Sequence, residues 1–226
     1  MADGVVVVAS FLLAFKAILI EGTEVAILAV ATVKQLGREN VLLGVLMGAG
    51  GSVLVFLGVR ELFVLLGGAL PSGEALVSVA AGAVILYFSY RFLRGFKKYY
   101  FGKKSFQDKM AKVEEEVVEK DFVRYGADRP SVLPFSFTNS LPVFAITLTE
   151  GFEASLVLGA AGTFDFLWTI IGAAVSIVLI VLLSLAFYQS LLRFPRSVLD
   201  LVAGSVLLTF GSYFVVSGVL ELILSP

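Results

Sequence analysis

Cysteine and histidine are both absent from the 226 residues. Without cysteine there is no disulfide, no thiolate metal site and no thiol redox chemistry. Without histidine there is no imidazole ligand and no histidine general base. Charge is sparse as well. Charged residues make up 15% of the chain against 58% hydrophobic, where about 25% charged is usual in a soluble domain. What is there instead is a series of apolar stretches, several longer than the roughly 18 residues that suggest a transmembrane helix. They do not alternate every second residue, as barrel strands do. The expected fold class is an all-α polytopic membrane protein.

Six spans are predicted, over 5–33, 41–66, 74–96, 135–162, 166–192 and 196–224. The chain then divides into a first membrane unit (1–96), a charged connector (97–134) and a second membrane unit (135–226). The short leader before the first span carries no basic residue, so no cleavable signal is expected. Basic residues segregate. Lys34 and Arg38 lie between spans 1 and 2, Arg91, Arg94, Lys97, Lys98, Lys103 and Lys104 around the start of the connector, and Arg193 and Arg196 between spans 5 and 6. The opposite side has almost none. The positive-inside rule therefore predicts a multi-pass protein of the cell (inner) membrane, with residues 97–130 in the cytoplasm and both termini outside. Arg91 and Arg94, near the end of span 3, are expected to snorkel to the interface.

One short pattern occurs twice, as Glu21-Gly22-Thr23-Glu24 in span 1 and Glu150-Gly151-Phe152-Glu153 in span 4. With these aligned, Gly48-Ala49 falls near Gly172-Ala173, and the run from Ala81 to Phe88 matches the run from Ala203 to Phe210. Each half holds three spans, an odd number, so the second must enter the membrane from the opposite side. That predicts two inverted three-helix repeats, with a site at their interface near the midplane. Chance similarity among apolar helices is the competing account.

Acidic residues inside a bilayer are costly, an Asp at a helix centre by roughly 2.5–3.5 kcal/mol. Four unpaired glutamates would cost on the order of 10 kcal/mol, which packing does not explain. Residues three apart share a helix face, so Glu21 and Glu24 point together, as do Glu150 and Glu153. The glycine within each pair lets a neighbouring helix come close. Spans 1 and 4 run antiparallel, which brings four carboxylates to one point. A hard multivalent cation would relieve their repulsion, and oxygen-only ligation suits iron, manganese, magnesium or calcium. Thr23, Asn139, Thr147 and Thr149 are candidate auxiliary oxygens. Two blander readings compete: protonated glutamates acting as structural glue, or a proton relay serving an organic substrate carried elsewhere.

The two Glu-Gly-x-Glu motifs resemble the Arg-Glu-x-x-Glu motifs of the oxidase-dependent iron permease family. The resemblance implies a membrane permease in which Glu21, Glu24, Glu150 and Glu153 bind iron. At the motif's arginine position this chain has Ile20 and Thr149, and the family's usual seventh span is not found. A looser resemblance is to six-span cation exporters of the lysine-exporter type, among them manganese and calcium carriers.

Lys16, about a turn and a half from Glu21, is a candidate counter-ion for the empty site. A lysine that merely pairs with a carboxylate is the alternative. Asp200, Glu221 and the Arg60-Glu61 pair are read as interfacial. Tyr87 and Tyr90 line either a wet path or the core. Phe106, Met110, Val113 and Val117 recur at helical spacing opposite a charged face, which predicts a cytoplasmic amphipathic helix over 103–124. The function expected is transport of a hard metal cation, most readily iron, with no cofactor beyond that transported ion. An intramembrane enzyme is disfavoured, because duplication of one carboxylate pair suits a pathway better than an asymmetric reaction centre. The expected partners are the lipid bilayer and the cation itself, with a second copy or an extracytoplasmic metal-handling protein as further candidates. No nucleic-acid partner is expected.

Overall fold

The computed structural model describes residues 4–69, 72–101, 134–186 and 196–224. The amphipathic helix expected over 103–124 and the last residues of the fifth expected span lie outside them. Among the described residues six helices follow one another: α1 Gly4–Leu36, α2 Arg38–Ala69, α3 Gly73–Phe101, α4 Phe137–Phe164, α5 Phe166–Ala186 and α6 Arg196–Leu224. There is no strand among the described residues. Each helix contains a stretch long and apolar enough to cross a bilayer. The protein is an all-α membrane protein of six spans. Its outer surface is what lipid requires, with Leu46, Leu54, Leu65, Val178, Leu182 and Ile223 turned outward.

Two of the connections are a single residue. Between α1 and α2, Gly37 adopts φ 84°, a left-handed conformation open to glycine without steric cost. Its N–H donates to the Val33 carbonyl at 3.0 Å and closes α1. Between α4 and α5, Asp165 leaves the helix and its Oδ1 accepts from the Trp168 N–H at 3.0 Å, capping α5. Asn40, fully buried near the start of α2, accepts from the Ser136 N–H at 2.9 Å and donates to the Pro134 carbonyl at 3.0 Å. It ties the start of α4 to the α1–α2 turn. At the other end Ser10 donates to the Ala161 carbonyl and Phe11 stands edge-on to Trp168. The α1–α2 turn and the start of α4 thus share one end of the bundle. The start of α1 and the α4–α5 turn share the other.

The helices pack mainly across the two halves: α2 on α4, α1 on α5 and α3 on α6, with α1 also meeting α4. Close approaches repeat with the halves exchanged. A Cβ on Gly44 would stand 2.8 Å from Val143 Cβ and 2.9 Å from the Phe144 nitrogen. One on Gly172 would meet Phe11 and Phe15, and Phe15 is the residue that aligns with Phe144. Likewise Gly82 meets Val215, and Gly204 meets Leu93. This reciprocity is consistent with two inverted repeats. It also corrects one register: Gly172 takes the place of Gly44, one turn before Gly48. Small residues recur every fourth position along α2 and α5, so a slip of one turn superposes almost the same pattern.

Candidate functional site

Glu21 stands midway along α1 and Glu150 midway along α4. The two helices meet, and the motif glycines admit a further helix behind each of them. A Cβ on Gly22 would lie 2.7 Å from Ile180 Cδ1 on α5, and one on Gly151 would overlap the Ser52 side chain of α2. Each glutamate doublet is therefore pinned from behind by a helix of the other half. The outcome is a cluster in which one carboxylate oxygen from each of Glu21, Glu24 and Glu150 lies within 4.8 Å of the others. Glu21 is buried, 6% exposed, and Glu24 and Glu150 are half-buried. The Glu21 and Glu150 carboxyl groups are in hydrogen-bonding contact. Three ionised carboxylates this close repel by about 3 kcal/mol per pair at an effective dielectric of about 20, so the arrangement calls for a positive charge or a proton among them.

Glu153, the fourth glutamate of the motifs, is near enough to act electrostatically on Glu21 but is engaged elsewhere. Its Oε1 accepts a hydrogen bond from Nη1 of Arg91 at 2.7 Å. The expectation that Arg91 snorkels to the interface is thus corrected. α3 continues to Phe101, which leaves Arg91 about 15 Å from the helix end, and its guanidinium turns to α4. The Arg91 side chain also lies 5.8 Å from the Phe88 ring centroid. Sequence reasoning missed this residue as part of the site. Nothing in the sequence set it apart from Arg94, Lys97 and Lys98 at the same end of α3.

Lys16 is buried, 7% exposed, with its ammonium 3.6 Å from the centroid of the Phe92 ring on α3. The ammonium thus makes a cation–π contact with α3 in addition to lying on the α1 side of the glutamate site. The auxiliary oxygens divide. Thr23 donates back to the Leu19 carbonyl of its own helix, and Thr149 to the Ala145 carbonyl at 2.9 Å. Asn139 sits in the first turn of α4, where its side chain donates to Pro134 at 2.7 Å, about 16 Å along the helix from Glu150. Thr23 and Thr149 thus donate to their own helices, and Asn139 lies at the start of α4, away from the cluster. Thr147, one turn before Glu150, packs on Gly48. Its buried hydroxyl has no hydrogen-bond partner among the described residues. The Arg60–Glu61 pair lies at the level of the α4–α5 turn, with the Arg60 guanidinium over Phe166.

Compared with protein-family models, curated proteins and solved structures, the chain matches none.

Proposed function

We propose that the protein carries a hard, multivalent metal cation across the membrane, through a site made by Glu21, Glu24, Glu150 and Glu153. The observation behind this reading is the trio of carboxylate oxygens within 4.8 Å, held midway along two long apolar helices. A spread of that size suits a cation. Oxygens on opposite sides of an ion with metal–oxygen distances of about 2.0–2.6 Å stand about 4–5 Å apart. Iron is the first candidate, because the paired motifs resemble those of iron permeases. Manganese, calcium and magnesium share the same oxygen preference. The protein is read as a carrier rather than an enzyme, placed in the cell membrane with its basic loops in the cytoplasm. Cation uptake by vesicles containing the purified protein tests this directly. Each of Glu21→Gln, Glu24→Gln and Glu150→Gln should abolish flux with expression retained. Normal flux in all three would reduce the cluster to structural glue.

A second reading has its own observation. The contact between Glu21 and Glu150 is of the kind that two carboxyls make around a shared proton, which fits a proton pathway coupled to another substrate. Proton flux through the same vesicles without any metal would favour it.

A further inference from the structure

Glu153 carries a contact that comes from outside the two motif helices. Arg91 belongs to α3, which packs chiefly on α6. Its side chain is 46% exposed and that of Glu153 24%, although Arg91 lies well inside the span Gly73–Lys98. A guanidinium facing lipid at that depth would be costly. The same face of α3 also turns Tyr87 and Tyr90 outward. These three side chains fit a wetted surface leading from the basic end of the bundle to the glutamates.

We propose that Arg91 is a tethered counter-cation that holds Glu153 aside while the site is empty and yields it when a multivalent cation enters the Glu21–Glu24–Glu150 cluster. The inference rests on the cation-transport reading. The exchange is wholly ionic. Empty, the site holds three converging carboxylates and one Arg91–Glu153 pair. Loaded, four carboxylates face the cation and the guanidinium moves to the wet face of α3. Separating the pair opposes binding, so the cation is held less tightly than four free carboxylates would hold it, and it can leave. The device also selects by charge. Attraction to the fourth carboxylate doubles from a monovalent to a divalent ion, whereas the ion pair that must be broken is the same. Arg91 is thus a positioning residue that acts through Glu153.

The test uses the full-length protein and Mn²⁺ as the probe, with binding followed in detergent and uptake in vesicles. Arg91→Gln should tighten Mn²⁺ binding about tenfold. It should lower KM and kcat together, because release slows, and should let Na⁺ compete where the parent excludes it. Arg91→Lys should restore near-parental constants. In a Glu153→Gln background, Arg91→Gln should change Mn²⁺ affinity by less than about twofold, since the two residues act as one unit. An equal effect in both backgrounds, weaker Mn²⁺ binding by Arg91→Gln, or no rescue by lysine would overturn the proposal. Should Arg91→Gln not fold, Glu153→Gln alone decides. It should weaken Mn²⁺ binding far less than Glu150→Gln, because the opposing ion pair goes with it, and equal losses would overturn the role. A parent that carries Mn²⁺ and fails with Glu21→Gln, yet is indifferent to Arg91→Gln, refutes the arginine's role alone. A parent that neither binds nor carries Mn²⁺, and does no better with iron, calcium or magnesium ions, refutes the transport reading along with it.

Discussion

Replacing Glu21 by glutamine separates stability from function. The side chain is 6% exposed, and its carboxylate has two others within 4.8 Å. At an effective dielectric of about 20, each such pair of ionised groups repels by about 3 kcal/mol. Glutamine keeps the volume and can still donate an N–H to Glu150. Without metal, Glu21→Gln should therefore be no less stable than the parent, and should gain up to about 3 kcal/mol for each ionised pair it relieves. An ordinary large-to-small change in a core moves the opposite way, by about 2–5 kcal/mol. The assay is thermal unfolding of the purified full-length protein in detergent, with and without Mn²⁺. At one hundred times Kd a ligand stabilises the folded state by about 2.7 kcal/mol, so the parent should gain that much from Mn²⁺ and the variant almost none. A variant that melts below the parent without metal, and shifts equally with it, would show that Glu21 holds the fold together and does not bind the cation.

Two further outcomes are expected. Because the chain has no cysteine, single cysteines at Glu39 and Asp165 can be labelled without background, and they should react from opposite faces of the membrane, the first from the cytoplasm; labelling from one face would undo the proposed topology. Gly151→Ala should cost about 1–3 kcal/mol by overlap with Ser52 and be partly restored by Ser52→Gly, whereas Gly58→Ala, where a Cβ meets nothing within 4 Å, should be neutral; equal unfolding midpoints for Gly151→Ala and Gly58→Ala would contradict the close packing of α2 on α4.

Much of this was legible in the residues. The six spans follow from uninterrupted apolar stretches, and the cluster follows from two glutamate doublets whose spacing fixes a common helix face. Arg91 was not legible, because Arg94, Lys97 and Lys98 group it with the basic residues at the end of span 3, and only the packing of α3 near α4 brings it to Glu153. The threonines and Asn139 were not legible for another reason. A hydroxyl on a helix can bond its own preceding turn as readily as a ligand. Thr23 and Thr149 do so, and Asn139 bonds Pro134 at the start of α4. The match of α5 to α2 was blurred by small residues recurring every fourth position, and only the close contacts of Gly44 and Gly172 resolve it.

The exchanged packing has a consequence for how such a chain is made. The hairpin formed by α1 and α2 across Gly37 finds its principal partners in α5 and α4, synthesised a hundred residues later. Until the second hairpin is threaded into the bilayer, the glycine faces at Gly44 and Gly48 have only lipid against them, and Glu21 and Glu24 have no opposite helix. The first half is therefore an unfinished insertion intermediate rather than a self-sufficient module. Neither half of this bundle is complete without the other.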